Sequence, residues 1–130
     1  KTLNEFQPYC LSLLRIVTAL VLFSYGTQKI LHFPAAENVP AIGSLSWVAG
    51  MLELVFGFLV LVGFKTRPAA FVLSGLMACA YFIGHFPRGF YPAQNGGVAS
   101  ILFCFTFLYL FVAGGGPLSL DYAMKNKQAA

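Results

Sequence analysis

The sequence predicts an all-α integral membrane protein: an antiparallel four-helix bundle with both termini in the cytoplasm. Three observations predict it. Hydrophobic residues make up 58% of the chain and charged residues only 9%, where a soluble domain carries about a quarter charged. The mean hydropathy is +0.77. Four long apolar runs alternate with short segments rich in Pro, Gly and charge. At 130 residues a single domain over 1–130 is expected. The net charge of +4 comes without any Lys/Arg run long enough to track phosphates. Nucleic acid is therefore excluded as a partner, and the charge reads as anchoring at a membrane face.

The spans follow in order. Residues 1–8 form a polar lead, and Pro8 suits a first helical turn, where its missing N–H costs nothing. The run from Tyr9 to Leu31 has 23 residues, enough for a hydrocarbon core that needs about 20. It is too long for a signal-peptide h-region and no small-x-small site follows it, so it is expected to stay as a span. His32–Ser44, with Pro34, Pro40 and Gly43, is a loop. The second span is 45–64. Lys65-Thr66-Arg67-Pro68 is a tight basic turn, with Pro68 starting a third span over 69–85. Ala80–Gly97 is a loop that gathers His85, Arg88, Gln94 and Asn95 among aromatics and prolines. The fourth span is 98–113. Gly114-Gly115-Gly116-Pro117 ends it, and 118–130 is a polar tail.

Positive charge sets the orientation. Lys1, Lys65, Arg67, Lys125 and Lys127 fall on one side and Arg88 on the other, with Lys29 at a helix end. The positive-inside rule then places both termini in the cytoplasm and the Ala80–Gly97 loop outside.

Four ionisable residues lie in or at the edge of spans: Arg15, Lys29, Glu53 and His85. Each costs about 2.5–3.5 kcal/mol at bilayer depth and so needs a partner or a role. On the first span, Ser12, Arg15, Thr18, Tyr25 and Lys29 are spaced as one polar stripe, opposite an aliphatic face of Val17, Leu20, Val21 and Ile30 expected to meet lipid. The stripe either lines a buried site or is a seam hydrogen-bonded to neighbouring helices. Gly50, Glu53 and Gly57 share a face on the second span. Either Lys29 or Arg15 could pair with Glu53, as a structural ion pair or as a proton-handling site. On the third span Ser74, Ala78, Tyr81, His85 and Arg88 share a face that runs into the loop. They carry a hydroxyl, a phenol, an imidazole and a guanidinium, the groups that quinone or phenol chemistry uses, although Tyr81 and His85 also suit an interfacial belt. Cys10, Cys79 and Cys104 lack metal-ligand spacing, and no metal site is expected. Cys79 and Cys104 read as buried small hydrophobes. The five aromatics of the fourth span, Phe103 to Phe111, spread around the helix as packing and lipid contact.

Read together, these residues resemble the DoxX family of small four-helix membrane proteins. The resemblance is carried by LLRIVTALVLFSYGTQKI, by Glu53 on a glycine-rich second helix, by the TRPAA turn, by HFPRGFYPAQNGG and by FLYLFVAGGGPLSLD. It implies a bacterial inner-membrane protein. The family takes its name from a subunit of a thiosulfate:quinone oxidoreductase, and its members are associated with membrane oxidoreductase complexes and with oxidative-stress defence. Similar sequences often carry a Glu directly after the Asn-Gly-Gly turn, where this chain has Val98, which leaves Glu53 as the one carboxylate within a span.

The expected function is a redox-associated subunit binding a quinone-like or aromatic ligand in the outer half of the bundle. Its candidate catalytic residues are Glu53 and His85, and its ligand-binding set is Tyr81, His85, Arg88, Asn95, Arg15 and Lys29. No covalent cofactor is expected; a quinone is the expected ligand. The partners are the lipid bilayer and an oxidoreductase subunit or a second copy. The alternatives are a non-catalytic scaffold recruiting such a partner and a small-solute carrier.

Overall fold

The computed structural model describes residues 2–35 and 40–129, the last three by backbone alone. Lys1, residues 36–39 of the expected 32–44 loop and the Lys127 side chain lie outside the described residues. Among the described residues there is no strand. The helices are α1 (Leu3–Ile30), α2 (Leu45–Val62), α3 (Thr66–Ala80), α4 (Pro92–Asn95), α5 (Val98–Ala113) and α6 (Leu120–Ala129). A π-turn at Tyr81–His85 and a 3-10 turn at Phe86–Arg88 prolong α3. Among the described residues, three helical paths are long and apolar enough to cross a membrane: α1, α2 and Thr66–Arg88. A shorter apolar helix, α5, has 16 residues and is about 24 Å long at about 1.5 Å per residue.

Several boundaries differ from the sequence expectation. The first helix starts at Leu3, and Pro8 lies inside it. Proline removes one ladder bond there, close to an exposed end where water can serve the freed carbonyl, and Glu5 in the first turn favours the helix start. The second helix stops at Val62 because Gly63 is left-handed (φ 76°). Gly63 N–H bonds Val60 O at 3.1 Å and Phe64 N–H bonds Leu59 O at 2.9 Å, a complete Schellman stop. The third helix begins at Thr66, three residues before the expected Ala69, and Pro68 sits in its first turn. The expected polar tail is helical as α6. Ser119 caps it, its Oγ accepting from Tyr122 N–H at 3.2 Å, and Asp121 lies in its first turn.

The long helices form two antiparallel pairs. In the first, α1 lies on α2 through glycines. A Cβ at Gly26 would sit 3.1 Å from the Leu54 backbone nitrogen, and one at Gly50 would sit 2.9 Å from Lys29 Cβ. Close approach of backbones through small residues is the usual device for joining helices in lipid. In the second pair, α3 lies on α5: Ser74 Oγ donates to Cys104 O at 2.8 Å, and the Phe71 and Phe111 rings are 5.0 Å apart. The two pairs meet over a core of Ala19, Leu22, Val60, Leu73, Met77 and Phe107.

The buried face of α1 is Ser12, Arg15, Ala19, Leu22 and Gly26. Tyr25 leaves the expected polar stripe and is 42% exposed, because 13 residues from Ser12 make about 3.6 turns and rotate it off that face. On the aliphatic face Val17, Leu20 and Val21 are exposed, but Ile30 is half-buried and packs beside Gly50.

Candidate functional site

The Ala80–Gly97 loop is built around one buried amide. Asn95 is 1% exposed. Its Nδ2 donates to Tyr81 Oη at 3.1 Å and to Gly89 O at 3.0 Å, and its Oδ1 accepts from Gly97 N–H at 2.8 Å. Three loop segments are thereby tied to one side chain. Gly97 has to be glycine, since a Cβ there would meet the Tyr81 ring at 2.6 Å. Asn95→Ala should lower stability by about 2–3 kcal/mol, because it leaves a buried N–H and a carbonyl without partners. Thermal unfolding in detergent checks this, and Asn95→Asp, which lacks the two N–H donors, should fare no better.

The same asparagine orients the histidine. His85 Nδ1 lies 3.2 Å from Asn95 O. A carbonyl only accepts, so Nδ1 carries the proton and Nε2 is the acceptor of the neutral ring. The Tyr81 ring stacks near His85, with centroids 6.5 Å apart. The π-turn brings this about: Phe86 N–H bonds Tyr81 O, five residues back, which widens the helix where His85 leaves it. Single π-turns of this kind recur at functional sites.

Beside this loop lies a cavity of about 380 Å³ between the first turns of α2 and the last turns of α3. Its walls are largely apolar, with Val48 and Leu52 on one side and Leu76 and Ile83 on the other. Lys29, His85, Arg88 and Ser46 supply its polar side chains, and Cys79 lines it too. The volume falls in the usual range for small-ligand sites, about 300–1,000 Å³. Lys29 Nζ binds both oxygens of Glu53, at 3.1 and 3.3 Å. Of the two pairings left open for Glu53, the structure takes Lys29. The Glu53 side chain is 4% exposed and that of Lys29 28%, so Glu53 stands behind the cavity and Lys29 faces it.

A family model described as DoxX matches residues 10–86, more than half of the chain. The chain belongs to the DoxX family. Two relatives from Haemophilus influenzae are similar to it, and both are described as uncharacterized proteins. One is 41% identical over 125 residues, covering 92% of this chain and 93% of the relative. The other is 35% identical over 97 residues, covering 73% of this chain and 63% of the relative. No solved structure matches. The DoxX match spans α1 to the π-turn, and so includes Arg15, Lys29, Glu53, Tyr81 and His85.

Within this DoxX chain the expected site residues separate into three groups. Lys29, His85 and Arg88 come together at the cavity. Tyr81 and Asn95 do not line it but hold the loop that positions His85. Arg15 lies at the opposite end, where α1 begins and α5 stops. It is 1% exposed. Its Nη1 donates to Gly115 O, and its Nη2 to Leu118 O at 2.7 Å and Leu61 O at 3.4 Å. Ser12 Oγ donates to Gly115 O at 3.0 Å and accepts from Leu118 N–H at 3.1 Å. Arg15 thus ties α1 to the glycine-rich segment after α5 and to the last turn of α2.

The structure also revises the cysteines. Cys79 is exposed on the cavity side of α3, and Cys104 is half-buried with Sγ 3.6 Å from Ser74 Oγ. Sequence reasoning missed Asp121, whose carboxylate accepts from Lys65 N–H at 2.8 Å and Thr66 N–H at 2.9 Å. It caps a helix whose own N-cap residue, Lys65, is left-handed and offers no side-chain bond. The available signal was a helix start at Lys65-Thr66 with no acidic or hydroxyl cap before it.

Proposed function

We propose that the protein is a subunit of the bacterial inner membrane that binds a quinone-like or other oxygen-bearing aromatic ligand in the cavity between α2 and α3, and serves a redox partner in that membrane. Both termini face the cytoplasm, so the cavity opens in the outer half of the bilayer. One observation carries this reading: a mostly apolar slot with Lys29, His85 and Arg88 among its lining residues. The slot suits a flat ring, and Lys29 and Arg88 offer N–H donors to the oxygens of such a ring. Glu53 holds Lys29 in place through its ion pair. His85, with Nδ1–H committed to Asn95 O, has Nε2 left to accept a proton from a hydroxyl of the ligand. A quinone bound there would carry the electrons, while the protein supplies binding, orientation and a proton acceptor.

The test is extraction in mild detergent followed by mass spectrometry of the organic extract. A stoichiometric aromatic ligand is expected in the unaltered protein. Its recovery should fall about tenfold or more in His85→Ala and in Arg88→Ala, with thermal unfolding nearly unchanged since both side chains are at least partly exposed. Recovery of phospholipid alone from all three proteins would overturn the reading in favour of a scaffold.

A further inference from the structure

At the opposite end of the bundle lies a second, larger cavity of about 710 Å³. Here α1 passes with Pro8 and Tyr9, α3 begins and α5 ends, so the cavity sits where the long helices reach the edge of the membrane. Among the described residues, three cations line it (Lys65, Arg67 and Lys125) against one carboxylate, Asp121. That carboxylate is engaged by the backbone N–H groups of Lys65 and Thr66. Among the described residues none of the three cations is in an ion pair. Arg67 lies over the glycine segment: a Cβ at Gly114 would come within 3.3 Å of its Nε and Nη2.

A second observation points the same way. Thr66, also in the cavity lining, is 1% exposed, and its Oγ1 has no hydrogen-bond partner. A buried hydroxyl left without a partner carries a desolvation cost of about 1–3 kcal/mol, which a bound acceptor would relieve. The remaining lining is suited to a membrane boundary, with Tyr9, Tyr122, Pro68 and Pro117 beside the charges.

The geometry points to a binding site for a phosphate ester in this cavity, held by Lys65, Arg67 and Lys125 with the Thr66 hydroxyl as a further donor, and occupied by the headgroup of an anionic phospholipid. A phosphodiester presents several acceptor oxygens and a negative charge to these donors. A headgroup also leaves its acyl chains free to lie along the exposed apolar faces of the helices. A free phosphate offers the same oxygens without the chains, so the two sources differ in whether a soluble phosphate can take the site. This site is separate from the α2–α3 cavity, and its test is independent of the ligand proposed there.

The experiment is native mass spectrometry of the purified protein released from mixed phosphatidylglycerol and phosphatidylcholine nanodiscs. Phosphatidylglycerol should be retained in preference to phosphatidylcholine. Retention should fall about fivefold for each cation removed in Arg67→Ala and Lys125→Ala, and about two- to threefold in Thr66→Val, where one hydrogen bond is lost. Lys125 is exposed on α6, so Lys125→Ala keeps the test open even if changes in α3 disturb folding. In a second arm, millimolar inorganic phosphate or glycerol phosphate is added to the protein in zwitterionic detergent carrying bound phosphatidylglycerol. No displacement supports the lipid headgroup. Displacement overturns the lipid as occupant and assigns the site to soluble phosphate esters. Equal retention of both lipids, or retention unaltered in Arg67→Ala and Lys125→Ala, overturns the site altogether.

Discussion

Arg15→Ala should lower the stability of the folded bundle by about 3–5 kcal/mol. The guanidinium is 1% exposed and donates to the carbonyls of Gly115, Leu118 and, more weakly, Leu61. A hydrogen bond from a charged donor contributes about 1.5–3 kcal/mol, and its removal strands the buried Gly115 carbonyl. Alanine also leaves a void at the point where α1, the end of α2 and the segment before α6 converge. Arg15→Lys keeps the charge but not the planar fork that reaches several carbonyls at once, so it should recover less than half of the loss. Denaturant titration in detergent gives both values. The folded fraction of Arg15→Ala should still retain the ligand of the α2–α3 cavity, since Arg15 lies at the other end. A loss under about 1 kcal/mol, or full rescue by lysine, would show that the carbonyl contacts are not what holds this end together. Gly115→Ala provides an independent probe, because a Cβ there would press on Thr66 Oγ1 at 2.9 Å and on Arg15 Nη1 at 3.2 Å.

Arg15 also shows how far the sequence could be read. Its burial was legible, because an arginine spaced three residues from Ser12 within an apolar run needs an inward face. Its partners were not. They are backbone carbonyls, two of them about 100 residues away in the chain and one 46, and a glycine run reads as a helix stop, with nothing in its side chains to announce an acceptor set. The α5 boundaries were legible to the residue, since Gly97 and Gly114 bracket an unbroken apolar run. The start of α1 was not, because proline tolerates more than one position near a helix N-terminus. Neither was α6, a polar helix whose cap and first-turn acid are short-range signals easily taken for a tail. At the loop end, helical spacing placed His85 and Arg88 together but put Tyr81 on the same face. The π-turn and the Asn95 amide divert Tyr81 into the loop, and a π-turn leaves no periodicity to detect. Lys29 and Glu53 were matched as one of two pairings, and only the close approach at Gly50 and Gly26 decides between them.

That pair yields the second large effect, and its two halves are unequal. In Lys29→Met the Glu53 carboxylate, whose side chain is 4% exposed, loses its cation inside an apolar helix pair. Breaking a buried pair from one side costs about 3–5 kcal/mol, and the low exposure of Glu53 places the expected loss in that range. In Glu53→Gln the lysine that remains is 28% exposed and can extend its ammonium toward the membrane edge. About 1 kcal/mol is expected there. The double variant Lys29→Met/Glu53→Gln should be more stable than Lys29→Met alone, because no unpaired charge remains. The resulting coupling of about 3 kcal/mol or more, read from a double-mutant cycle of unfolding midpoints, is the signature of a pair whose strength lies in mutual neutralisation. Ligand recovery adds a second axis to the same set of proteins. Lys29 lines the α2–α3 cavity and Glu53 does not, so the double variant, though nearly as stable as the unaltered protein, should lose the ligand along with the Lys29 donor. Glu53→Gln should retain most of it. If Glu53→Gln instead abolished ligand recovery at unchanged stability, the carboxylate itself would be the group that meets the ligand, and the cavity would have to extend past Lys29 to reach it.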